Sequence, residues 1–333
     1  MSRFYSSLKY ILLFIIAALL LFLSFKEVKW SDFISGLKKC NFWWIGASMI
    51  VGIISFYIRA ARWRLLMLPL GGIRRRDAFD GVNVGYITNF AIPRAGEIAR
   101  CGVVSKKSKI PFESVVGTVF LERSFDMLTL AIVSIITFAI TWNQFGFFFD
   151  NFILSSISEK LSVNLIWVLL ILLTSFLIFA YIIYRYRKTH PFLIKIVQVL
   201  KGLLKGIIAG FKMPQKWLFI LYTILLWGSF WLTSVTTILA FQSVDASVAS
   251  LNLTDALFLM IVGSFGWVIP VQGGIGAYHF IVTLALSSVY GISQTTGIVF
   301  ATISHESQAL VMILVGLYSL SRISLSQKKN FVK

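Results

Sequence analysis

The stretch IPRAGEIAR, residues 92–100, decides how this chain is read, because it sets a charged turn inside an apolar sequence. Arg94, Glu97 and Arg100 are ionisable, and Pro93 should stop any helix arriving from the N-terminal side. A second turn, IPVQGGIGAYHF at residues 269–280, echoes it later in the chain. Each turn follows an apolar run too short to cross a bilayer, and each is followed by a long helical pattern with polar residues inside it. Irregular backbone at membrane depth survives where protein or a water-filled cavity surrounds it, so both stretches read as the tips of re-entrant hairpins.

The composition agrees. The chain has 333 residues, of which 58% are hydrophobic and 13% charged, and its mean hydropathy is +0.85. A soluble domain of this size cannot bury that much apolar surface. The formal net charge of +18 would suit nucleic acid, but its distribution does not. Most Lys and Arg sit in short loops beside apolar spans, as positive-inside topology requires, so no nucleic-acid partner is expected. Cys40 and Cys101 fall on opposite sides of the expected topology, which implies no disulfide. The N-terminal run lacks a small-residue cleavage site and is expected to remain as a first transmembrane helix.

Outward from the first turn, residues 77–92 form the entering arm and residues 94–104 the return, which ends at Lys106, Lys107 and Lys109. Residues 8–25 and 42–68 precede them as spans, with residues 26–41 between as an interfacial helix. Arg59, Arg62, Arg64 and Arg74–Arg76 mark the cytoplasmic side. Residues 112–142 run outward, 143–162 form an outer loop, and 163–184 return. Residues 191–212 alternate lysines with aliphatics, the pattern of a basic amphipathic helix on the cytoplasmic face. Spans at 217–241 and 294–320 flank the second hairpin, residues 254–290.

The expected fold is therefore an all-α polytopic membrane protein. It has about six full spans plus two re-entrant helical hairpins in a single membrane domain, 1–333, with both termini cytoplasmic. Asp77, Gly85 and Pro93 match Asp255, Gly263 and Pro270: Asp to Gly is eight residues in both. Residues 42–142 and 217–320 then form two repeats that begin on opposite sides by charge. Inverted repeats with broken helices are a transporter architecture whose site lies at the repeat interface.

Candidate substrate-binding residues follow from that placement. At the first turn they are Asn89, Arg94, Glu97 and Arg100, where paired arginines near a helix start suit a phosphate. A structural ion pair that closes the hairpin explains the same residues. On the next helix, Glu122, Arg123 and Asp126 should face the bundle interior, since three ionisable groups facing lipid would be costly. In the second half the candidates are Gln272, His279, His305 and Gln308, as a hydrogen-bonded gate, a proton-responsive pair or a plain interhelical contact. Two histidines without suitably spaced further ligands imply no metal, and no cofactor is expected. Gly273, Gly274 and Gly276 permit a tight turn, but no strand precedes them and no Walker lysine follows, so they do not indicate a nucleotide. No catalytic nucleophile set is recognisable, and no catalytic residue is assigned.

These same residues carry a family resemblance. RAARW (59–63), NFAIPRAGEIAR (89–100), ERSFD (122–126) and PVQGGIG (270–276) resemble the membrane domain of lysylphosphatidylglycerol synthase/flippase proteins, within the broader flippase-like, YbhN-type group. The resemblance runs from Tyr10 to Ile323. It implies a lipid translocase domain of the inner (cytoplasmic) membrane whose partners are membrane lipids, an anionic or aminoacylated phospholipid among them. In two-domain members a soluble domain adds lysine to phosphatidylglycerol. The sequence ends at Lys333, so that domain is expected to be absent. Many members carry a proline–glycine pair and a glutamate where this chain has Gln272 and His279, so no particular headgroup is implied.

The function expected from all this is a flippase- or scramblase-like lipid translocase, with the headgroup passing through a polar cavity between inverted repeats. The alternatives are a membrane enzyme transferring a group to a lipid, of the phosphatidylglycerol lysyltransferase type, and a non-transporting scaffold subunit. A small-solute or ion carrier is a fourth. No ATP motif is present, so transport would be passive or ion-coupled.

Overall fold

The computed structural model describes residues 2–26, 28–142, 213–269 and 271–331, with Thr174, Ile178, Tyr181, Arg185 and Ile194 between them. Apart from those isolated positions, the expected loop 143–162, the span 163–184 and the amphipathic helix 191–212 lie outside the described residues, as does Pro270. Among the described residues the chain is helical and holds no strand. It is a multi-pass membrane protein.

Helices α1 (Ser2–Phe25), α2 (Trp30–Lys39) and α3 (Phe42–Met67) open the chain. Asn41 caps α3 by accepting from the Trp43 amide at 3.1 Å. Helix α2 buries Phe33 between Phe25 and Trp30, while Trp30 itself is exposed, as an interfacial helix requires. The first hairpin is α4 (Arg75–Ala91) and α5 (Gly96–Ser108). Ile92 is extended, with φ −135° and ψ 111°, which is the conformation a following proline imposes. Helix α6 (Phe112–Ile140) follows.

The second half has α7 (Lys216–Phe241), the short α8 (Ala246–Ala249), and the second hairpin, α9 (Leu253–Val268) and α10 (Ala277–Tyr290). Helix α11 (Gln294–Phe331) closes the chain. Asn252 and Asp255 make a reciprocal capping box at the start of α9. The returning arm of the second hairpin, expected within residues 254–290, does not start directly after the apolar run. A 3-10 turn, Gln272–Gly274, intervenes, with Gly273, Gly274 and Gly276 at φ of 55°, 79° and 81°. Three positive-φ glycines cannot begin an α-helix, so α10 is delayed to Ala277.

Helices α3, α6, α7 and α11 have 26, 29, 26 and 38 residues. At 1.5 Å per residue the shortest spans about 39 Å, enough to cross a bilayer. Helix α10, with 14 residues, covers only about 21 Å and cannot cross alone. Helices α3 and α7 run antiparallel. Asn41 donates its amide to the Ala240 carbonyl at 2.9 Å, and at the other end the Arg62 guanidinium lies 5.5 Å over the Phe219 ring.

Helix α11 serves as a ruler for the hairpins. Near one end Arg322 pairs with Asp80 at the mouth of the first hairpin. At the other end Thr296 donates to Asp245, just before the mouth of the second, at 2.8 Å. The 26 residues between Thr296 and Arg322 correspond to about 39 Å of helix. The hairpins therefore enter from opposite ends, and they meet in the middle: a Cβ on Gly273 would lie 2.5 Å from the ring of Phe90.

Both hairpins close in the same way. Gly85 of α4 packs against the Gly96 carbonyl, and Gly263 and Gly266 of α9 pack against Tyr278. At each mouth an aspartate on the entering arm bonds the end of the return: Lys107 lies 3.4 Å from Asp77, and Tyr290 donates to Asp255 at 3.0 Å. The helix contacts also pair off. α3 meets α4 and α6 as α7 meets α9 and α11, and α4 meets α11 as α9 meets α6.

Candidate functional site

Where the hairpin tips meet lies a cavity of about 640 Å³. His305 and Gln308 reach it from α11 at 9 and 12 residues past Thr296. That places the cavity about 14–18 Å from one end of the bundle, at mid-depth of a bilayer core. One wall is charged and comes from the first hairpin, α3 and α6: Arg59, Asn89, Arg94, Glu97, Arg123 and Asp126. The opposite wall is aromatic and hydroxylic, with Trp227, Trp267, Tyr278 and Ser304 beside His305 and Gln308. Met127 of α6 and Val268 of α9 line the cavity and are 60% and 59% exposed.

The charged wall is one network. Glu122 is fully buried and receives Arg59 Nε at 3.1 Å, Arg62 Nη2 at 3.2 Å and Arg100 Nη1 at 2.8 Å. One turn on, Asp126 receives Arg62 Nη2 at 2.6 Å, Arg59 Nη2 at 3.0 Å and Arg123 Nη1 at 3.3 Å. Glu97 bridges Arg100, at 2.7 Å, and Arg123. Arg59 also donates to Tyr86 Oη at 3.1 Å, and Arg100 lies 4.6 Å over the Trp63 ring. Four arginines face three carboxylates, which leaves one positive charge in excess. In a water-poor interior such pairs are held by mutual attraction, because an unpaired member would carry its full desolvation cost.

Arg94 stands apart from this network. It is exposed at the cavity lip, and it forms no hydrogen bond or ion pair with the described residues. Its backbone sits at φ 65°, a left-handed conformation that costs a side-chain-bearing residue energy and that clusters at functional turns. Asn89 accepts the Gly96 amide at 2.8 Å and so fixes the turn that presents Arg94.

The sequence-derived candidates thus divide. Arg94, Glu97, Arg123, Asp126, Asn89, His305 and Gln308 line the cavity. Arg100 and Glu122 lie behind its wall as buried counter-ions, and Gln272 and His279 are set back from it. The Glu97–Arg100 pair expected from i, i+3 spacing forms, and Glu122 and Asp126 share a face as expected. His279 and His305 meet, with ring centroids 5.0 Å apart. Gln308 turns the other way and donates to Ser48 Oγ at 3.1 Å.

Two arginines of the basic block that closes the second span also belong to the network. Arg59 and Arg62 are 7% and 0% exposed, and each bonds both Glu122 and Asp126. Their i, i+3 spacing inside an apolar helix was the available signal. Arg64, on the other face, donates to the Ile73 carbonyl at 2.7 Å. Glu306 was also passed over as a ligand. It stands beside His305 and His279, and the three could hold an ion, their ligand atoms lying within 4.8 Å of one another.

The family model described as "Lysylphosphatidylglycerol synthase TM region" matches residues 10–316. The chain is also similar to a protein of Haloferax volcanii named "Glycosyltransferase AglD", 29% identical over 103 residues, which is 30% of this chain and 16% of that protein. The chain therefore spans a small part of that relative. No solved structure matches the chain.

Proposed function

The chain belongs to the family of lysylphosphatidylglycerol synthase TM regions, and from that premise we propose that it is a lipid translocase acting on a phospholipid or another envelope lipid. The observation that carries the reading is the cavity between the two hairpin tips, charged on one wall and lined also by the exposed apolar Met127 and Val268, between which it would open to the bilayer. A phosphate-bearing headgroup would enter there while its acyl chains stay in the bilayer. Arg94 would take the phosphate first, since no carboxylate among the described residues holds it, and Arg123, which is 40% exposed on its side chain, would take it next. The network's single excess positive charge favours an anionic group in a low-dielectric site. Glu122, behind the wall, would set the arginines rather than touch the lipid.

The two hairpins would work as inverted repeats about this cavity, residues 42–142 against 217–320. Their opposite entry and paired contacts support that division. We place the basic end, with Arg74–Arg76, Lys107 and Arg322, on the cytoplasmic side of the cytoplasmic membrane, by the positive-inside rule.

A second reading has one supporting observation. The similar protein from Haloferax volcanii is named a glycosyltransferase, and an enzyme that transfers a group to a lipid would need the same headgroup pocket. Labelled phospholipids in proteoliposomes separate the two. Headgroup-dependent movement lost in Arg94→Ala supports translocation. A new lipid product by mass spectrometry, without movement, supports transfer.

A further inference from the structure

We propose that His279, His305 and Glu306 form a binding site for a divalent transition metal of the zinc class, which pins the tip of the second hairpin. The ligand atoms converge. Glu306 Oε1 lies 2.9 Å from His305 Nδ1 and 3.7 Å from His279 Nε2, and all three lie within 4.8 Å of one another. A tetrahedral metal with bonds near 2.0–2.2 Å separates its ligand atoms by about 3.3–3.5 Å, and the two Glu306 distances bracket that value. Two imidazoles and a carboxylate are a known donor set for zinc, with room left for a fourth ligand.

The surroundings set the rings for this task. His305 Nε2 lies 2.8 Å from the Gly273 carbonyl oxygen, which can only accept. In the neutral ring that bond holds the proton on Nε2 and turns the Nδ1 lone pair toward the Glu306 carboxylate, 2.9 Å away. A proton shared at that contact makes it a hydrogen bond, and a metal cation would take the proton's place. An imidazole whose far N–H is held by a backbone carbonyl is also the usual outer shell of a metal-bound histidine. His279 Nδ1 is buried and makes no hydrogen bond among the described residues, so with Nε2 on the metal its N–H would lack an acceptor there, a cost that the metal bond must outweigh.

Glu306 gives an independent reason. Its side chain is half-exposed on the stripe of α11 that also exposes Leu310, Leu314 and Leu317. A carboxylate on an exposed stripe of a membrane-spanning helix is costly even with His305 beside it, and a bound dication would lower that cost further. The metal would join α10 to α11. Through the His305–Gly273 bond it would also hold the tip beside Phe90 of the first hairpin.

The test measures metal directly and does not depend on the transport reading. Tag-free protein in detergent is stripped with a chelator, equilibrated with zinc sulfate, gel-filtered and assayed for zinc. Wild type should retain about one zinc per chain, and cobalt in its place should give the visible bands of a four-coordinate site. His279→Ala and the near-isosteric Glu306→Gln should each bind zinc more than tenfold more weakly, while His190→Ala should bind it as wild type does. Size-exclusion and circular dichroism report folding of every variant. A folded wild type that retains no zinc overturns the proposal, as does zinc binding by folded His279→Ala and Glu306→Gln as tight as that of wild type.

Discussion

Replacing Glu122 with glutamine should destabilise the protein more than any other single change to the charged wall. Glu122 is fully buried and is approached by three guanidinium groups at 2.8–3.2 Å. Glutamine keeps the shape and one acceptor but removes the charge, so the excess over carboxylates rises from one arginine to two. Removing one partner of a buried ion pair costs about 3–5 kcal/mol, because the other charge stays desolvated. Asp126 continues to hold Arg59 and Arg62, which puts Glu122→Gln at the lower end, about 3 kcal/mol, or roughly a hundredfold in the unfolding equilibrium. The assay is reversible unfolding in mixed micelles, read by tryptophan fluorescence. Adding Arg100→Gln, which removes a cation that Glu122 holds, should cost less than the sum of the two single changes, with a coupling of at least about 1 kcal/mol. A Glu122→Gln variant within about 0.5 kcal/mol of wild type, or strict additivity with Arg100→Gln, would refute the network as the element that holds this wall.

Further outcomes follow from particular contacts. A Cβ on Gly96 would run into the Gly85 carbonyl, whereas one on Gly102 meets nothing within 4 Å. Gly96→Ala should therefore cost about 1–3 kcal/mol and Gly102→Ala should be neutral or stabilising by up to about 1 kcal/mol, as measured by thermal unfolding. A Cβ on Gly36 would lie 3.7 Å from Val299 Cβ, within disulfide range. Gly36→Cys with Val299→Cys should then cross-link α2 to α11 on mild oxidation, and a gel band unchanged by oxidant would contradict their packing. The Ser247 hydroxyl, with the Ser247 amide and Thr296 adding to it, holds the Asp245 carboxyl below its ordinary value of 3.8. A depressed folded value contributes stability above the unfolded one and loses it as pH falls through the folded one. Asp245→Asn should thus lower stability at neutral pH, and the gap should narrow steadily as the pH falls below the carboxyl's ordinary 3.8; a gap that does not change with pH would refute the assignment.

The hairpins were legible because their punctuation is local. Pro93 stops α4, a run of lysines ends α5, and the Asp-to-Gly spacing recurs in the second hairpin. What sequence could not give was the direction in which a side chain faces. Arg59 and Arg62 count toward a basic block when read by position, yet they lie on the inner face of α3, while Arg64, two residues on, turns toward the loop. The aromatic wall was hidden for a different reason. Trp227, Trp267 and Tyr278 sit among many aromatics of a membrane chain, and nothing local marks them as cavity-lining. His279 and His305 were expected to meet, but the third ligand was sought at a distance in sequence. Glu306 supplies it from the next position on the same helix, and the turn of α10 brings His279 to it. The expectation of no metal rested on spacing in sequence, which does not register that these three side chains meet in the fold.

The central claim is that a lipid headgroup crosses through the cavity between the hairpin tips, and the most direct measurement is movement of fluorescent phospholipids between leaflets of proteoliposomes. Wild type, Arg94→Ala and Gly102→Ala are compared at equal reconstitution. The account predicts headgroup-dependent movement in wild type and Gly102→Ala, and movement reduced to that of protein-free vesicles in a folded Arg94→Ala. Movement in Arg94→Ala at the wild-type rate would contradict it.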